Sequence, residues 1–467
     1  MASDEDSCGR ISLMPLSSPR SLTRTLSRTE ECSPPVSVKH AEESFRFSSV
    51  HPRYFLLEDT MDVIVERCCG LDVHKASVSA CLRCGNESEV RTFGTTTGAL
   101  LELSDWLSEG GCTHVAMEAT GVYWKPVYNI LECSFDVILV NAQHIKAVPG
   151  RKTDVKDSEW IAKLLQHGLL KASFVPSVEF RELRDLTRSR TKLIQMRTAV
   201  ANRISKVLED ANIKLGSVAS KILSKSCRLM LESIIAGNTD SESLAEMSLR
   251  RMRSKIPELI EALNGRVTDH HRFMLERLLN EVDYLDSEIE MFNRRIDEKM
   301  VRFRPELERM DTANGVDIRV AQCVLAEIGP DMSQFPSDNH LCSWASMCPG
   351  NNQSGGKNKS GKMRKGNNWL RSVLVQAAWA AVRKRGTYLS AMYSRIARRR
   401  GKKRAIIAVA REILVSIYHI LKDGCTYNEL GADYYDRLNP DYLKKQMVRR
   451  LTSMGYTVTL EPLEPAA

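Results

Sequence analysis

What this chain lacks, it lacks locally. Between Asp338 and Glu412 there is no acidic residue, while the same window, 339 to 411, holds 17 lysines and arginines. The whole chain carries +9, so the remainder sums to −8. A solvated basic face ordinarily has Asp or Glu interspersed for pairing along helices. Their absence points to a polyanion, because each phosphate neutralised by Lys or Arg releases counterions. Long hydrophobic runs are also missing. The longest nearly apolar stretch, 373 to 382, is ten residues with Gln376 inside it, against about 20 for a spanning helix. The expectation is therefore a chain that does not cross a membrane. No charged start followed by an apolar block argues for secretion. Thirteen cysteines, an odd number in a long chain, fit reduced thiols in a cytoplasm. Cys81 and Cys84 have no second pair at finger spacing, and a structural zinc site needs four ligands. No G-x-x-x-x-G-K-[ST] is present, which argues against a nucleotide-hydrolysing P-loop.

What is present divides the chain. At about 150 residues per domain, 467 residues give about three units, and 43% hydrophobic against 27% charged residues excludes full-length disorder. Residues 1–60 are rich in Ser, Arg and Pro without periodicity and read as a disordered tail; Met61, just before the first patterned segment, is an alternative translation start. From 61 to 178 the pattern alternates. Strands are expected at 68–73, 77–82, 89–93, 114–118 and 136–141, and helices at 98–107, 122–133 and 154–170, with Thr95, Thr96 and Thr97 as a start and Gly110-Gly111 as a stop. Three strands, then helix, strand, helix, strand, helix is the order of a ribonuclease H-like α/β fold. From 179 to 304 long helices follow. Leu186, Leu193, Val200 and Val207 recur every seven residues. Leu275, Leu278, Val282, Leu285, Ile289, Phe292 and Ile296 alternate by three and four, a coiled-coil seam for an intramolecular hairpin or for a dimer. Gly237-Asn238 and Gly265 mark breaks. A last, mainly helical domain spans 305–435, with a Gly- and Lys-rich loop at 349–368 between helical segments, and 436–467 is an extension. The fold class is thus α/β plus all-α.

Two sets of residues carry chemistry. Asp72 and Glu118 fall at the expected ends of the first and fourth strands, and Asp154 and Asp157 at a helix start, three apart and so on one face. Four carboxylates there suit two Mg²⁺ ions that clamp the attacking and leaving oxygens of phosphoryl transfer. Singly, each is more simply a helix cap, a turn residue or a surface acid. The second set is the loop Cys348-Pro349-Gly350-Asn351-Asn352-Gln353-Ser354-Gly355-Gly356-Lys357. Ser354 before two glycines can present its hydroxyl to phosphate. Lys357, Lys359, Lys362, Arg364, Lys365 and Arg371 can hold the DNA backbone and offset transition-state charge. A serine hydroxyl needs activation by a base or a metal, and Ser360 competes on chemistry alone. Arg398, Arg399 and Arg400, beside Lys402, Lys403 and Arg404, form a further basic cluster for a nucleic-acid backbone. His74 beside Asp72 reads as a satisfied strand-end histidine, Cys68-Cys69 as core packing, and Trp369 and Trp379 as core anchors.

The segments CCGLDVHK, AMEATGVYWKPVY and NAQHIKAVPGRKTDVKDSEWIAKLL, with the QSGGK-type loop, resemble the DEDD/serine insertion-sequence transposases, the bridge-RNA-guided recombinase group. The likeness runs from about residue 61 to about 430. It implies a RuvC-like N-terminal domain with Asp72, Glu118, Asp154 and Asp157 as its acidic tetrad, and a C-terminal transposase domain with Ser354 as nucleophile. It also implies a bacterial, nucleoid-associated enzyme that acts as a dimer or tetramer on DNA, guided by a structured non-coding RNA. A covalent phosphoserine link would conserve phosphodiester energy. A metal-dependent junction nuclease that cuts by water attack is the alternative, and a non-enzymatic nucleic-acid scaffold a third reading. Asp317 stands where the family usually has glycine, which weakens the case for close backbone contact with phosphate at that hairpin.

Overall fold

The computed structural model describes residues 62–119, 121–141, 157–349, 352–360, 363 and 366–461, with backbone alone for 352–354 and 357–360. The 1–60 tail and Met61 lie outside the described residues. Two compact units part between Val175 and Pro176.

The strands of the first unit are β1 (Arg67–Val73), β2 (Ser77–Cys84), β3 (Glu87–Gly94), β4 (His114–Glu118) and β5 (Asp136–Val140). They form one five-stranded sheet in the order β3-β2-β1-β4-β5. The first three strands are antiparallel neighbours, and β1, β4 and β5 run parallel. This is the ribonuclease H-like arrangement that the element order predicts. Between β3 and β4 lies α1 (Thr97–Glu109), started by the Thr96 side chain, which accepts from Ala99 N–H, and stopped at Gly110. α2 (Trp124–Leu131) follows β4. Leu100, Leu103, Leu107, Val127 and Leu131 from these helices pack on Leu71, Val115 and Met117 of the sheet; each such side chain, fully buried, contributes about 1.5–3 kcal/mol. The opposite face is covered by α3 (Asp157–Gln166), whose Ile161, Leu164 and Leu165 pack on Cys68, Ala116 and Val140.

The second unit begins with α4 (Val178–Asp210) and continues through α5 (Lys225–Ile235), α6 (Ser241–Glu246) and α7 (Ile256–Leu263) to α8 (Asp269–Lys299). The breaks fall where glycine marks them, at Gly237 after α5 and Gly265 after α7. α4 and α8 pack along each other. The ion pairs Lys299–Glu182 at 2.6 Å and Arg203–Glu281 at 3.3 Å, with Arg197–Asp286 between them, pair ascending with descending numbers, so the helices are antiparallel. The seam is filled within one chain: Leu275, Leu278, Val282 and Leu285 are buried with Val200, Ile204 and Leu208. This corrects the seven-residue recurrence on α4. Leu186, Leu193 and Val207 are only half-buried, because a helix of 3.6 residues per turn drifts off a strict heptad. Towards its start α4 buries Arg190 instead, which donates to Gln322 at 2.9 Å. Then come α9 (Arg304–Asp311), α10 (Ile318–Ile328), α11 (Asp338–Trp344), a hairpin of β6 (Asn352–Ser354) and β7 (Lys357–Ser360), α12 (Asn368–Ala381), α13 (Tyr388–Arg400) and α14 (Lys402–Asp423). α14 is the axis of this region: α9, α11, α12 and α13 pack on it, over its buried Ile406, Val409, Ile413, Ile417 and Ile420. Two last helices, α15 (Tyr434–Leu438) and α16 (Pro440–Ser453), bury no residue. No helix of the described residues is long and apolar enough to cross a membrane.

Candidate functional site

The carboxylate corner is set by strand register. Leu71 of β1 is level with Met117 of the parallel β4. The next residue on each strand is acidic: Asp72 and Glu118. Side chains alternate along a strand, so with Leu71 and Met117 packed on α1 and α2, Asp72 and Glu118 fall on the α3 face. Gly70 decides how closely α3 sits there. A Cβ at Gly70 would lie 2.2 Å from the Ser158 carbonyl oxygen and 2.3 Å from Ala162 N, so backbone rests on backbone. That contact lays the first turn of α3, which opens with Asp157, over β1 two residues before Asp72. An acid in that turn is favoured by the helix dipole. Asp72, Glu118 and Asp157 thus share one end of one sheet face, each half-buried. Asp154 lies outside the described residues, and among these no group of three His, Cys, Asp or Glu side chains is placed to hold a metal ion. The donors are all carboxylate oxygens, the chemistry of a hard cation such as Mg²⁺. His74 lies with Nε2 3.1 Å from Asp72 Oδ2 and is itself exposed, a satisfied strand-end histidine. The buried thiols take no part: burial pushes Cys68 up to about 11 and Cys112 up to about 12, so both stay protonated.

Ser354 ends β6 and pairs in register with Lys357, the first residue of β7. Gly355 and Gly356 connect them with φ of +56° and +72°. Two successive positive φ values are what a two-residue hairpin needs. Both glycines are exposed with nothing within 4 Å of a notional Cβ, so the demand is conformational rather than steric. The expected loop therefore contains a β-hairpin, with a register shift at Asn352/Gln353. Lys359 lies on β7, whereas Lys362, Arg364 and Lys365 lie outside the described residues.

Past the hairpin, at the start of α12, stands a buried polar network absent from the sequence reading. Asn367 caps α12, accepting from Trp369 N–H and Leu370 N–H at 3.1 Å each. Its Nδ2 donates to Glu327 Oε2 at 2.7 Å. Glu327 is almost wholly buried in α10 and also accepts from Arg188 Nε and Nη2, each at 2.8 Å. Arg184 lies 3.4 Å from the same carboxylate, and burial holds its guanidinium down to about 10 against the opposing pull of Glu327. Arg371, one turn into α12, donates to Asn368. A Glu in an apolar helix such as IRVAQCVLAEI was the available signal, since buried carboxylates are retained only when paired.

Arg398, Arg399 and Arg400 close α13, and Lys402, Lys403 and Arg404 open α14 across Gly401, whose φ is +83°. All six are exposed, and none forms an ion pair with another described residue. Cations at the first turn of α14 oppose its dipole, a cost that an external phosphate would remove. The reading of the two tryptophans as core anchors is corrected. Trp379 is 41% exposed beside Tyr393, and Trp369 is half-buried under Lys192 and Arg188.

A transposase family model of the DEDD type matches residues 69–213, which hold all four acidic candidates. A second, described as the transposase IS116/IS110/IS902 family, matches residues 307–394, which hold the hairpin and its capped root. A protein described as a probable family 20 transposase, from Pseudomonas aeruginosa, is 26% identical over 273 residues, 58% of this chain and 71% of its own. The transposase for insertion sequence element IS1111A of Coxiella burnetii is 25% identical over 329 residues, 68% of this chain and 79% of its own.

Proposed function

From the premise that this chain is a DEDD-type insertion-sequence transposase, an enzyme of DNA transposition, we propose that it cuts and rejoins strands through a covalent phosphoserine. The Ser354 oxygen attacks the scissile phosphorus, the P–O3′ bond breaks, and the departing 3′ oxygen takes up a proton as a hydroxyl. The serine proton passes to a base or to solvent. In the second step a 3′ hydroxyl of another strand attacks the phosphoserine and frees Ser354, so no ATP is consumed. Asp72, Glu118, Asp154 and Asp157 would hold Mg²⁺, which supplies polarisation of the phosphoryl oxygens when bound. Lys357, Lys359, Lys362, Arg364, Lys365, Arg371 and the Arg398–Arg400 cluster bind phosphates and fix the strand in register. The chain works as a homodimer or tetramer, and a structured RNA selects sites by base pairing, leaving the protein to grip shape and backbone.

The observation that carries the serine reading is the hairpin itself: Ser354 stands at a two-glycine turn, level with a lysine, inside a 73-residue window that contains no acid. The test is a trapping experiment with plasmid DNA carrying the element's ends. Wild type is expected to leave a DNA–protein adduct that survives denaturant, and Ser354→Ala to leave none. Cleavage by Ser354→Ala at the wild-type rate would give the reaction to water and end the covalent mechanism.

A further inference from the structure

The α4–α8 seam opens at Ile289 and Phe292, which are half-buried where the seam residues before them are buried. A shallow hollow of about 440 Å³ lies there, within the range of about 300–1,000 Å³ usual for small-ligand sites. Its lining combines apolar Leu193 and Phe292 with Asp185, Arg188, Ser189 and Lys192, and Trp369 of α12. We propose that this hollow takes one unpaired nucleobase of a nucleic-acid strand, stacked on the Trp369 indole, with the adjoining phosphate on Lys192.

Four observations converge on that occupant. Trp369 is half-buried rather than packed in a core, so part of the indole remains accessible. Arg188 Cζ and Lys192 Nζ lie over its ring, 5.8 and 5.3 Å from the centroid. These two cations differ in freedom. Arg188 is tied to Glu327 by two hydrogen bonds, whereas Lys192 is exposed and makes no ion pair with another described residue. Lys192 can therefore leave the ring for a phosphate while Arg188 stays as a wall. Apolar Leu193 and Phe292 suit a base's faces and edges, and Ser189 and Asp185 offer a hydroxyl and a carboxylate at the mouth for its polar groups. Finally, Trp369 belongs to the acid-free basic window and sits two residues past Asn367, the cap of α12. The base must be unpaired, since a base inside a duplex presents neither face. Base–aromatic stacking of this kind tolerates any sequence. The proposal rests on the reading that this region grips a nucleic-acid strand.

The test uses the full-length protein and three 12-nucleotide probes: oligothymidylate, an abasic deoxyribose-phosphate strand of the same length, and oligouridylate. Affinity is measured by anisotropy of end-labelled strands, with tryptophan emission followed in parallel. Wild type is expected to bind oligothymidylate on the order of ten-fold more tightly than the abasic strand, the size of one base–aromatic stack, with quenched emission. Trp369→Ala should lose that increment and keep its affinity for the abasic strand, which also shows that it folds. Trp369→Phe should keep most of it. A tighter oligothymidylate complex names the DNA strand as the source of the base, and a tighter oligouridylate complex names the RNA. The proposal is overturned if Trp369→Ala leaves the increment intact or lowers affinity for both strands equally. Binding alone is read, without cleavage, so the result stands whether or not Ser354 forms a covalent link.

Discussion

The two candidate groups of this transposase are held in place by opposite means. In the sheet unit the acidic residues ride on regular elements, and what fixes them is apolar close packing: a missing side chain at Gly70 lets the backbone of α3 rest on β1. In the helical unit the serine stands beside a turn of two exposed glycines, with nothing within 4 Å of a notional Cβ on either. Past it, at the start of α12, the fixing is polar, through Glu327, which joins Asn367 to Arg188 and Arg184 of α4. Close packing gives stiffness without specific partners. A buried carboxylate gives one geometry but punishes any change that strands a charge. The comparison teaches that the sheet site should tolerate polar substitutions around it and fail on added volume, whereas the serine loop should do the reverse.

The largest effect is expected at Glu327. Glu327→Ala leaves Arg184 and Arg188 without their carboxylate and Asn367 without its acceptor, and truncating one side of a buried ion pair costs about 3–5 kcal/mol. Glu327→Gln, of the same shape, keeps one acceptor and should cost clearly less. Urea denaturation of the two variants measures both. A loss below about 1 kcal/mol in Glu327→Ala would mean that the network is incidental and that the two regions do not differ in kind. Next in size is Gly70→Ala. Added volume against backbone that cannot swing away costs about 1–3 kcal/mol and should shift the first turn of α3, with Asp157, off the sheet. Thermal melting together with hydrogen exchange in β1 and α3 checks it: destabilisation confined to the sheet unit is expected. An unchanged melt would show that α3 is not seated on Gly70.

Much of the sheet unit was legible in the sequence, for a physical reason. Its central strands β1, β4 and β5 are short apolar runs, as buried parallel strands are, and Thr96 and Gly110 punctuate α1 as local chemistry dictates. Element order then leaves few topologies open. Asp72 and Glu118 fall near strand ends and Asp157 at a helix start, as the element order places them, while Asp154 lies outside the described residues. The serine region was legible only as composition. Gly355-Gly356 between short polar stretches is a hairpin signal, but β6 and β7 lack the apolar alternation that marks strands, so the segment read as loop. Glu327 stands out as an acid in an apolar helix, but its partners could not be read, being 139 and 40 residues distant along the chain; no periodicity links such positions. The α4 seam misled for a related reason. Of the heptad Leu186, Leu193, Val200 and Val207 only Val200 is fully buried, Leu193 and Val207 pack half-buried against the same core, and the buried set there is Val200, Ile204 and Leu208. Trp369 was misplaced because tryptophan's usual burial says nothing about a seam that opens beside it, and Trp379 because it lies exposed against Tyr393.

The smallest expected effect is at the turn between α9 and α10, and it refines the comparison within the helical unit. Here the chain has Asp317 where the resemblance leads one to expect glycine, and the structure gives the acid a local task. Its side chain caps α10, accepting from Val320 N–H at 2.8 Å. The close approach at this turn falls to Gly315 instead, with φ of +84° and a notional Cβ 2.2 Å from the Ala377 carbonyl oxygen of α12. The hairpin therefore spends its glycine on packing against α12 and its acid on starting α10, which carries Glu327. Asp317→Ala should cost about 1 kcal/mol, and Asp317→Gly only a few tenths, because glycine is a tolerable cap. Removing the acid also removes repulsion at the phosphate backbone, so Asp317→Gly should bind duplex DNA slightly more tightly at low salt. Urea denaturation paired with a salt titration of DNA affinity measures both. If Asp317→Gly proved as unstable as Asp317→Ala, the side-chain cap would not be what the position contributes, and even this turn would owe its order to packing.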